Sequence, residues 1–447
     1  MPPLLAKDRR LKATPMNSSA KHYKWYVVGM LWWIAFFNYA DRQSIFSVFP
    51  LLAREFHLND TQLGLLGSSF AWVYGLSAPL AGSVADRIRR KTAILSGLRI
   101  WSLVCMATAL SRSFAQLLFF RAAEGLGETI YFPASMSLIS DYHGKATRSR
   151  AMGTHQTSVY IGVIAGGFFA GAIGQRYGWR SSFVVFGGCG LVLSLVLSKF
   201  IVEPIRGAAD RADLGPDAPA QVAPRRISVR EFFKLVRTTP TLLLCMAAFM
   251  CENFTAMILF TWMPTLLYRK FHLSLAMAGL TATLYVQLTS MLGSPVGGWL
   301  ADTLRKRMAG GRILVQAIGI LLETPFAIWA ALTGSMNWLI VSLLLWGIFK
   351  GFYEANIFAS VFDVVRPEAR GTATGFMNMM GWLAGGGSAP VVVGILADRF
   401  GLSHAMAYAS VSYVIASILL LLAALGFARR DTQRMQAELT YDIVPAI

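Results

Sequence analysis

The chain has 447 residues, of which 55% are hydrophobic and only 14% are charged, and its formal net charge is +18. So small a share of charged residues, together with a positive mean hydropathy, excludes an ordinary soluble globular protein. Nucleic-acid binding is also disfavoured, because the basic residues are scattered over short segments between apolar runs.

Apolar runs of roughly 20 residues, the length that crosses a bilayer, recur along the whole chain. Because lipid offers no partner to unpaired backbone groups, we predict that every run is a transmembrane helix. The predicted spans, about twelve, are 25–49, 62–85, 92–111, 115–140, 150–173, 182–203, 241–267, 276–300, 312–332, 337–362, 371–396 and 404–428.

One long hydrophilic stretch, rich in Pro, Ala and Arg, divides these spans into two sets. The predicted organisation is an N-terminal tail, a six-helix bundle, a cytoplasmic linker, a second six-helix bundle and a C-terminal tail. These segments cover residues 1–24, 25–203, 204–240, 241–428 and 429–447, respectively. Within the linker, Ser228 to Arg237 is predicted to form a short amphipathic helix.

The distribution of basic residues predicts the orientation in the membrane. Of the 41 Lys and Arg residues, 29 fall on the side of the N-terminus and only seven on the opposite side. By the positive-inside rule, both termini are expected to be cytoplasmic in the cell (inner) membrane. Residues 1–24 are polar and basic, so we expect no cleavable signal peptide.

The four cysteines all fall inside predicted spans and lack the spacing of metal ligands: Cys105, Cys189, Cys245 and Cys251. We therefore expect neither a disulfide framework nor a metal site. No phosphate-cradling loop is evident, so we expect no cofactor, no ATP-driven step and no enzymatic activity.

A short loop occurs twice, at residues 82–91 and 298–307, as a glycine, an aspartate four residues later and a basic cluster. The pattern Arg-x-x-x-x-Gly also recurs at 148–153 and 370–375, and residues 124–128 align with 350–354. This repetition predicts two structurally related halves with a cavity between them.

Charged residues beside these loops are predicted to form two clusters that gate the cytoplasmic side. The first-half cluster comprises Asp86, Arg87, Arg90, Asp141 and Arg148. Its second-half counterpart comprises Asp302, Asp363, Arg366 and Arg370.

Ionisable residues inside spans are energetically expensive and therefore mark candidate functional positions. In the first span, Arg42 offers a planar fork suited to a carboxylate, and its neighbour Asp41 is a candidate proton site. The alternatives are an internal ion pair that joins helices or snorkelling to the membrane surface. Asn38 and Tyr39 lie beside them and are candidate substrate ligands.

In the fourth span, Arg121 and Glu124 are spaced to pair within the helix. Glu128 lies one turn further and has no cation in its own helix, so it is predicted to bind and release a proton during transport. The alternative is that Glu128 pairs with a neighbouring helix. Lys350 and Glu354 in the tenth span are expected to neutralise each other.

Polar and aromatic residues elsewhere in the spans complete the predicted substrate site, although each of them is also compatible with helix packing. These residues are Gln156, Asn253, Asn378 and Trp382. Glu252 and Glu323 receive no role from the sequence.

Several segments closely resemble a known family: the loop at 82–91, Asn38-Tyr-Ala-Asp41-Arg42, the helix around Gly125-Leu-Gly127-Glu128, and Thr261-Trp262-Met-Pro264. Over about residues 25–428 the chain resembles the major facilitator superfamily, and within it the anion:cation symporter family, which includes sialin-like and sugar-acid carriers. The resemblance implies an all-α membrane fold of two pseudo-symmetric six-helix bundles. It also implies that Arg42 binds a substrate carboxylate and that Asp41 and Glu128 couple protons.

The expected function is proton-coupled symport of a small organic anion by alternating access, with protons and the lipid bilayer as partners and a monomer as the working unit. Departures from the family pattern, Glu124 and the run Thr129-Ile130-Tyr131, leave an alternative open. The Gly-Glu-x-x-Tyr run also resembles the spinster-like branch, which implies export of lysolipids or amphipathic drugs.

Overall fold

The computed structural model describes residues 18–144, 146–205, 207–209 and 228–443. All regular secondary structure in this part of the chain is helical. Residues 1–17, 206, 210–227 and 444–447 of the predicted tails and linker, and the side chains of Asp86 and Arg87, lie outside the described residues. The predictions made for those segments therefore stay predictions.

The N-terminal half consists of eight helical segments within the described ranges. They are α1 (Ser18–Ser47), α2 (Phe49–Phe56), α3 (Asp60–Arg87), α4 (Arg90–Thr108), α5 (Phe114–Glu128), α6 (Tyr131–Tyr142), α7 (Arg148–Tyr177) and α8 (Trp179–Phe200). Helix α1 packs along α7, while α4 packs against α5 and α8.

The C-terminal half follows a short linker helix, α9 (Val229–Thr238), close to the predicted range Ser228 to Arg237, and it begins with a Ser228–Glu231 capping box. Its helices are α10 (Pro240–Phe271), α11 (Leu275–Arg305), α12 (Gly311–Leu332), α13 (Met336–Glu354), α14 (Ile357–Phe362), α15 (Pro367–Met380), α16 (Ala389–Phe400), α17 (Leu402–Ala409), α18 (Ser412–Leu422) and α19 (Ala428–Ile443). A π-helical turn at Gly381–Gly386 joins α15 to α16, and a second at Ala423–Phe427 joins α18 to α19.

Among the described residues, nine helical stretches are long and apolar enough to cross a membrane. The other three predicted spans correspond to α1, α4 and the α5–α6 pair, and each contains charged residues, such as Arg42, Arg99 and Arg121. The fold is thus the predicted all-α membrane fold of twelve spans in two six-helix bundles.

The internal repeat is visible in hydrogen bonds. Arg148 donates to the carbonyls of His143 at 3.0 Å and Ser140 at 3.2 Å. Arg370 donates to the carbonyls of Val365 at 3.4 Å and Phe362 at 3.1 Å. Both arginines therefore bind carbonyls five and eight residues earlier in the chain, at equivalent turns of the two bundles.

The fourth span of each half is interrupted at the same place, a break that the sequence analysis did not predict. Helix α5 ends at Glu128 and α13 ends at Glu354. In the first case Thr129 donates to the carbonyl of Gly125 at 2.6 Å, and Pro133 has no N–H to offer the carbonyl of Thr129. The break leaves each glutamate at the end of a helix.

The two halves pack through α7 against α11 and through α3 against α16. At Gly279 an added Cβ would lie 2.1 Å from the carbonyl oxygen of Gly167, and at Gly64 it would lie 2.2 Å from that of Pro390. Only glycine permits such close backbone approach. These contacts lie toward the end of the bundle that carries Asp60, Arg269 and Asp398, here called the Asp60 end. The opposite end, which carries Arg90, Arg148, Asp302 and Arg370, is called the Arg90 end.

Candidate functional site

A buried arginine in the interior of the N-terminal half lies at the centre of the candidate site. Arg42 on α1 is only 8% exposed, and its guanidinium carbon lies within 6 Å of four aromatic ring centroids. The distances are 4.8 Å to Tyr39, 5.0 Å to Phe70, 4.6 Å to Tyr74 and 5.7 Å to Trp382. Electron-rich ring faces thus surround a positive charge that water does not reach freely.

The arginine has one carboxylate partner on another helix. Arg42 Nε donates to Glu128 Oε2 at the end of α5, and the two side chains form an ion pair. Within the described residues, Arg42 Nη1 and Glu128 Oε1 are buried and have no hydrogen-bond partner. The pair therefore retains one free donor and one free acceptor, and Glu128 adopts the alternative foreseen from its sequence, pairing with a neighbouring helix.

Behind this pair lies a second arginine. Arg121 pairs with Glu124 on the same helix, as the spacing predicts, and it donates from Nη2 to the carbonyl of Arg42 at 3.0 Å. Its guanidinium carbon lies 4.8 Å from the ring centroid of Phe70. Arg121 thereby fixes the backbone that carries Arg42.

Asp41 is buried and contacts polar atoms on two other helices. Its Oδ1 accepts a hydrogen bond from Cys105 Sγ at 3.0 Å, and ligand atoms of Asp41, Cys105 and Glu124 lie within 4.8 Å of one another. That spacing would admit a metal ion, but Arg121 already neutralises Glu124. The absence of a metal site remains a prediction.

The four rings around Arg42, those of Tyr39, Phe70, Tyr74 and Trp382, are here called the aromatic cage. The C-terminal half contributes one of them, Trp382. Trp382 lies on the π-helical turn, with its ring centroid 5.2 Å from that of Tyr74 on α3. π-Helical turns commonly occur at functional positions. Arg42 consequently contacts both halves of the molecule.

The other predicted ligands occupy different surroundings. Asn38 is buried on α1, and its Nδ2 has no partner among the described residues. Asn253 donates to the carbonyl of Phe249 at 2.9 Å and to Glu252 at 3.3 Å. Gln156 is exposed on α7 and Asn378 is half-buried on α15. The described ring and hydrogen-bond contacts thus bring Tyr39, Glu128 and Trp382 to Arg42, and the roles of the four polar residues stay predictions.

Sequence reasoning missed three residues of the site: Phe70, Tyr74 and Cys105. Phe70 and Tyr74 are one helical turn apart on α3, and their rings stack at 5.9 Å. That spacing was visible in the sequence, but it does not distinguish a binding face from a packing face. Cys105 gave no signal because its thiol binds a carboxylate on another helix.

Some of the predicted gating residues take part in ion pairs at the Arg90 end, together with Glu203 and Arg312, which the sequence did not single out. In the first half, Arg90 pairs with Asp141 and with Glu203, the latter at 3.1 Å. In the second half, Arg312 bridges Asp302 at 2.6 Å and Asp363 at 3.0 Å.

These described ion pairs hold each cluster within its own half, so they join helices of one bundle. Arg148 and Arg370 bind backbone carbonyls, as described above. A gating role for the two clusters stays a prediction.

A cavity of about 1060 Å³ lies at the Arg90 end, away from Arg42 and entirely on the C-terminal half. Basic side chains line much of it, including Arg305, Lys306, Arg307 and Arg429. It does not include any residue of the aromatic cage.

The model of the Major Facilitator Superfamily matches residues 31–389 and 254–439 of this chain. The chloroplastic ascorbate transporter of Arabidopsis thaliana is 27% identical over 77% of the chain, which spans 64% of that relative's length. The hexuronate transporter of Bacillus subtilis is 25% identical over 81% of the chain and 86% of its own length.

A solved structure gives the same result for the fold. A bacterial homologue of the human lysosomal transporter Spinster, in an inward-facing and occupied conformation, superposes with a TM-score of 0.78 at 24% identity, covering 92% of this chain and 98% of that one. The helical architecture and the internal repeat are those of a multi-pass membrane protein, and the matched relatives are named as transporters and not as enzymes. The chain belongs to the Major Facilitator Superfamily.

Proposed function

We propose that the chain is a proton-coupled symporter of a small organic anion, such as a sugar acid or another carboxylate. The observation that carries this proposal is the buried Arg42 guanidinium, which is caged by four rings and has Glu128 as its carboxylate partner. The names of the ascorbate and hexuronate transporters among its relatives support an anionic substrate.

The geometry suggests how the anion binds. A guanidinium presents several donors in one plane and accepts a carboxylate through two parallel hydrogen bonds. Arg42 uses Nε for Glu128, and Nη1 is unpartnered. When a proton neutralises Glu128, the substrate carboxylate replaces it on Arg42, and the buried charge keeps a partner throughout.

Proton coupling follows from the same exchange. Arg42 needs one anion at a time in this low-dielectric interior, either ionised Glu128 or the substrate. Binding of the substrate therefore favours the protonated form of Glu128, and protonation of Glu128 favours substrate binding, as linkage requires. Asp41, buried near Glu124, is the second proposed proton site.

Alternating access would proceed by rocking of the two halves about this site, because Arg42 contacts Trp382 across their interface. In the proposed orientation both termini are cytoplasmic in the inner membrane, so substrate and proton enter from the Asp60 end and leave at the Arg90 end. One chain supplies both walls of the site, so a monomer suffices.

The test is proton uptake into proteoliposomes. The purified protein is reconstituted with a lumenal pH dye, and sugar acids, simple carboxylates and lysolipids are added outside at mildly acidic pH. We expect one class of carboxylate to acidify the lumen. Glu128→Gln should retain exchange of labelled substrate but lose this acidification, because its side chain no longer carries the proton.

Glu438→Gln is the matched control, since Glu438 pairs with Arg434 on the surface of α19 far from the site. Undiminished acidification and accumulation in Glu128→Gln would refute the coupling role of Glu128. Acidification by no anion at all, with a lysolipid giving transport instead, would refute the symport proposal.

A second candidate function is export of lysolipids or amphipathic drugs. The observation that favours it is the aromatic cage of Tyr39, Phe70, Tyr74 and Trp382, whose faces suit a quaternary ammonium headgroup or an apolar chain as well as a guanidinium. In this case a fluorescent lysolipid should be moved between leaflets, and small carboxylates should not compete with it.

A further inference from the structure

A carboxylate in the C-terminal half has no place in the mechanism above. Glu323 lies in the middle of α12 with no exposed surface. By hydrogen-bond geometry neither of its carboxylate oxygens has a partner among the described residues, and the hydroxyl of Tyr413 is the neighbouring side-chain donor. It lies beside Thr324 and Pro325, and the sequence assigns it no function.

The groups that face Glu323 come from three neighbouring helices. Glu252 on α10, Lys350 and Glu354 on α13, and Tyr413 on α18 are its electrostatic neighbours. Tyr353, also on α13, is buried against the same group of carboxylates. The described cluster thus contains three carboxyl groups and one ammonium group.

The single ammonium group of this described cluster, that of Lys350, already has a carboxylate partner. Lys350 pairs with Glu354 on its own helix, and Ser290 donates to the other oxygen of Glu354 at 2.5 Å. Glu252, 4% exposed, accepts only a distant bond from Asn253 at 3.3 Å. Glu252 and Glu323 are therefore left without a cation that would offset their charges.

An ionised carboxylate in such surroundings is strongly disfavoured. Moving a single charge from water to a buried site carries a large desolvation cost even after the protein relaxes, and the absence of a neighbouring cation leaves that cost without compensation. A nearby carboxylate raises the cost of the buried charge further by repulsion. Protonation of the carboxyl group removes the charge and with it this cost.

We propose that the C-terminal half contains a second proton-binding site in which Glu323 carries the proton. Glu252 and the Lys350–Glu354 pair are the charged neighbours of Glu323, and Glu354 is partly exposed, with 26% of its side chain accessible. In this proposal the proton reaches Glu323 by way of these groups.

The internal repeat places Glu323 beside the counterpart of Glu128. Glu354 ends α13 where Glu128 ends α5, so the two halves place a glutamate at the same interruption. The cation differs between the halves, because Glu128 pairs with Arg42 on another helix and Glu354 pairs with Lys350 on its own helix. The C-terminal half adds Glu323 as a further buried acid next to this pair.

The experiment is infrared spectroscopy of the purified protein, without any substrate. A neutral carboxylic acid has a carbonyl stretch separate from that of a carboxylate, and the band shifts in heavy water. We expect the difference spectrum of wild type minus Glu323→Gln at neutral pH to show this band. The band should disappear reversibly as the pH is raised.

Glu252→Gln leaves Glu323 in place and should shift its band, which provides a second readout if Glu323→Gln folds poorly. Glu438→Gln is the matched control and should leave the neutral-acid band unchanged. Absence of a neutral-acid band from Glu323 would overturn the proposal, as would a band that persists until the protein unfolds. Loss of the band on adding Na⁺ at constant pH would assign a cation site and also contradict it.

Because no substrate is present, the result for Glu323 does not depend on whether Arg42 binds an organic anion.

Discussion

Arg42 illustrates how a charge is accommodated inside a membrane protein. Its ion pair with Glu128, its four ring contacts and the support of its backbone by Arg121 together replace the water that a guanidinium would otherwise bind. A side chain held by so many groups is preorganised, so binding a carboxylate requires little rearrangement.

We expect Arg42→Lys to weaken substrate binding strongly although the positive charge is retained. Lysine cannot present the planar fork, and the loss of one charge-assisted hydrogen bond, about 1.5–3 kcal/mol, corresponds to a roughly 10- to 150-fold loss in affinity. The measurement is the half-saturating concentration for counterflow in proteoliposomes. Arg399→Lys, at an exposed position on α16, should leave it unchanged. If Arg42→Lys and wild type had the same half-saturating concentration, a positive charge alone would be enough to bind the substrate.

At the scale of helices, α7 and α11 of the two halves cross closely at Gly167 and Gly279. Both contacts involve backbone carbonyl oxygens, so neither side can yield by turning a side chain. The separation of the two helices at the Asp60 end therefore depends on two missing Cβ atoms.

We expect Gly279→Ala to widen the Asp60 end. Its Cβ would lie 2.1 Å from the carbonyl oxygen of Gly167, and the helices must separate to relieve that overlap. The measurement is the distance between spin labels at Tyr177 and Met277, two exposed positions near the crossing. Cys189 and Cys251, the less buried cysteines, are first replaced by serine.

The control is Gly153→Ala on α7, where an added Cβ meets nothing within 4 Å. It should leave the distance between the labels unchanged. An unchanged distance in Gly279→Ala, in protein that remains folded, would mean that the crossing does not determine the separation of the halves.

At the scale of the whole molecule, side chains of the C-terminal half hold the first turn of α3. Asp398 accepts bonds from the backbone N–H of Asp60 at 2.9 Å and of Thr61 at 3.0 Å, and from the Thr61 hydroxyl at 2.6 Å. Arg269 donates to both oxygens of Asp60 at 2.8 and 2.7 Å. One half thus caps a helix of the other, and the positive end of the α3 dipole favours the carboxylate.

We expect Asp398→Asn to destabilise the closed arrangement of the Asp60 end. The amide loses the charge and presents a donor to backbone donors, which should weaken the contact by about 1–3 kcal/mol. The measurement is the maleimide labelling rate of a Ser68→Cys variant, since Ser68 is buried between α3 and α16 and accepts a bond from Val391 N at 3.2 Å. The rate should rise about 5- to 150-fold.

Glu438→Gln in the same Ser68→Cys background should label at the wild-type rate. If Asp398→Asn also labelled at that rate, the Asp398 contacts would be incidental to closure.

The membrane fold was accessible from the sequence because hydropathy and internal repetition are local or periodic signals. Asp41, Arg42 and Glu128 were recognisable because a charge within an apolar span is conspicuous. The Arg121–Glu124 pair followed from spacing along one helix. These predictions required only the geometry of a single helix.

What the sequence could not provide were contacts between helices. The partners Arg42–Glu128, Cys105–Asp41 and Trp382–Tyr74 are separated by many residues, and their meeting depends on how the helices cross. The capping of α3 by Asp398 has the same origin. Aromatic residues add a further difficulty, since a ring that packs and a ring that binds share the same helical periodicity.

The two arginines that open the fifth helix of each bundle suggest why the halves can diverge so far. Arg148 and Arg370 bind main-chain oxygens, and the residues that supply them differ in kind: His143 and Ser140 in one case, Val365 and Phe362 in the other. Every amino acid carries the same carbonyl group, so mutation of the acceptor residues leaves these bonds available. After an ancestral duplication, the acceptor residues in each half could thus be substituted while the arginine kept the same hydrogen bonds to the main chain.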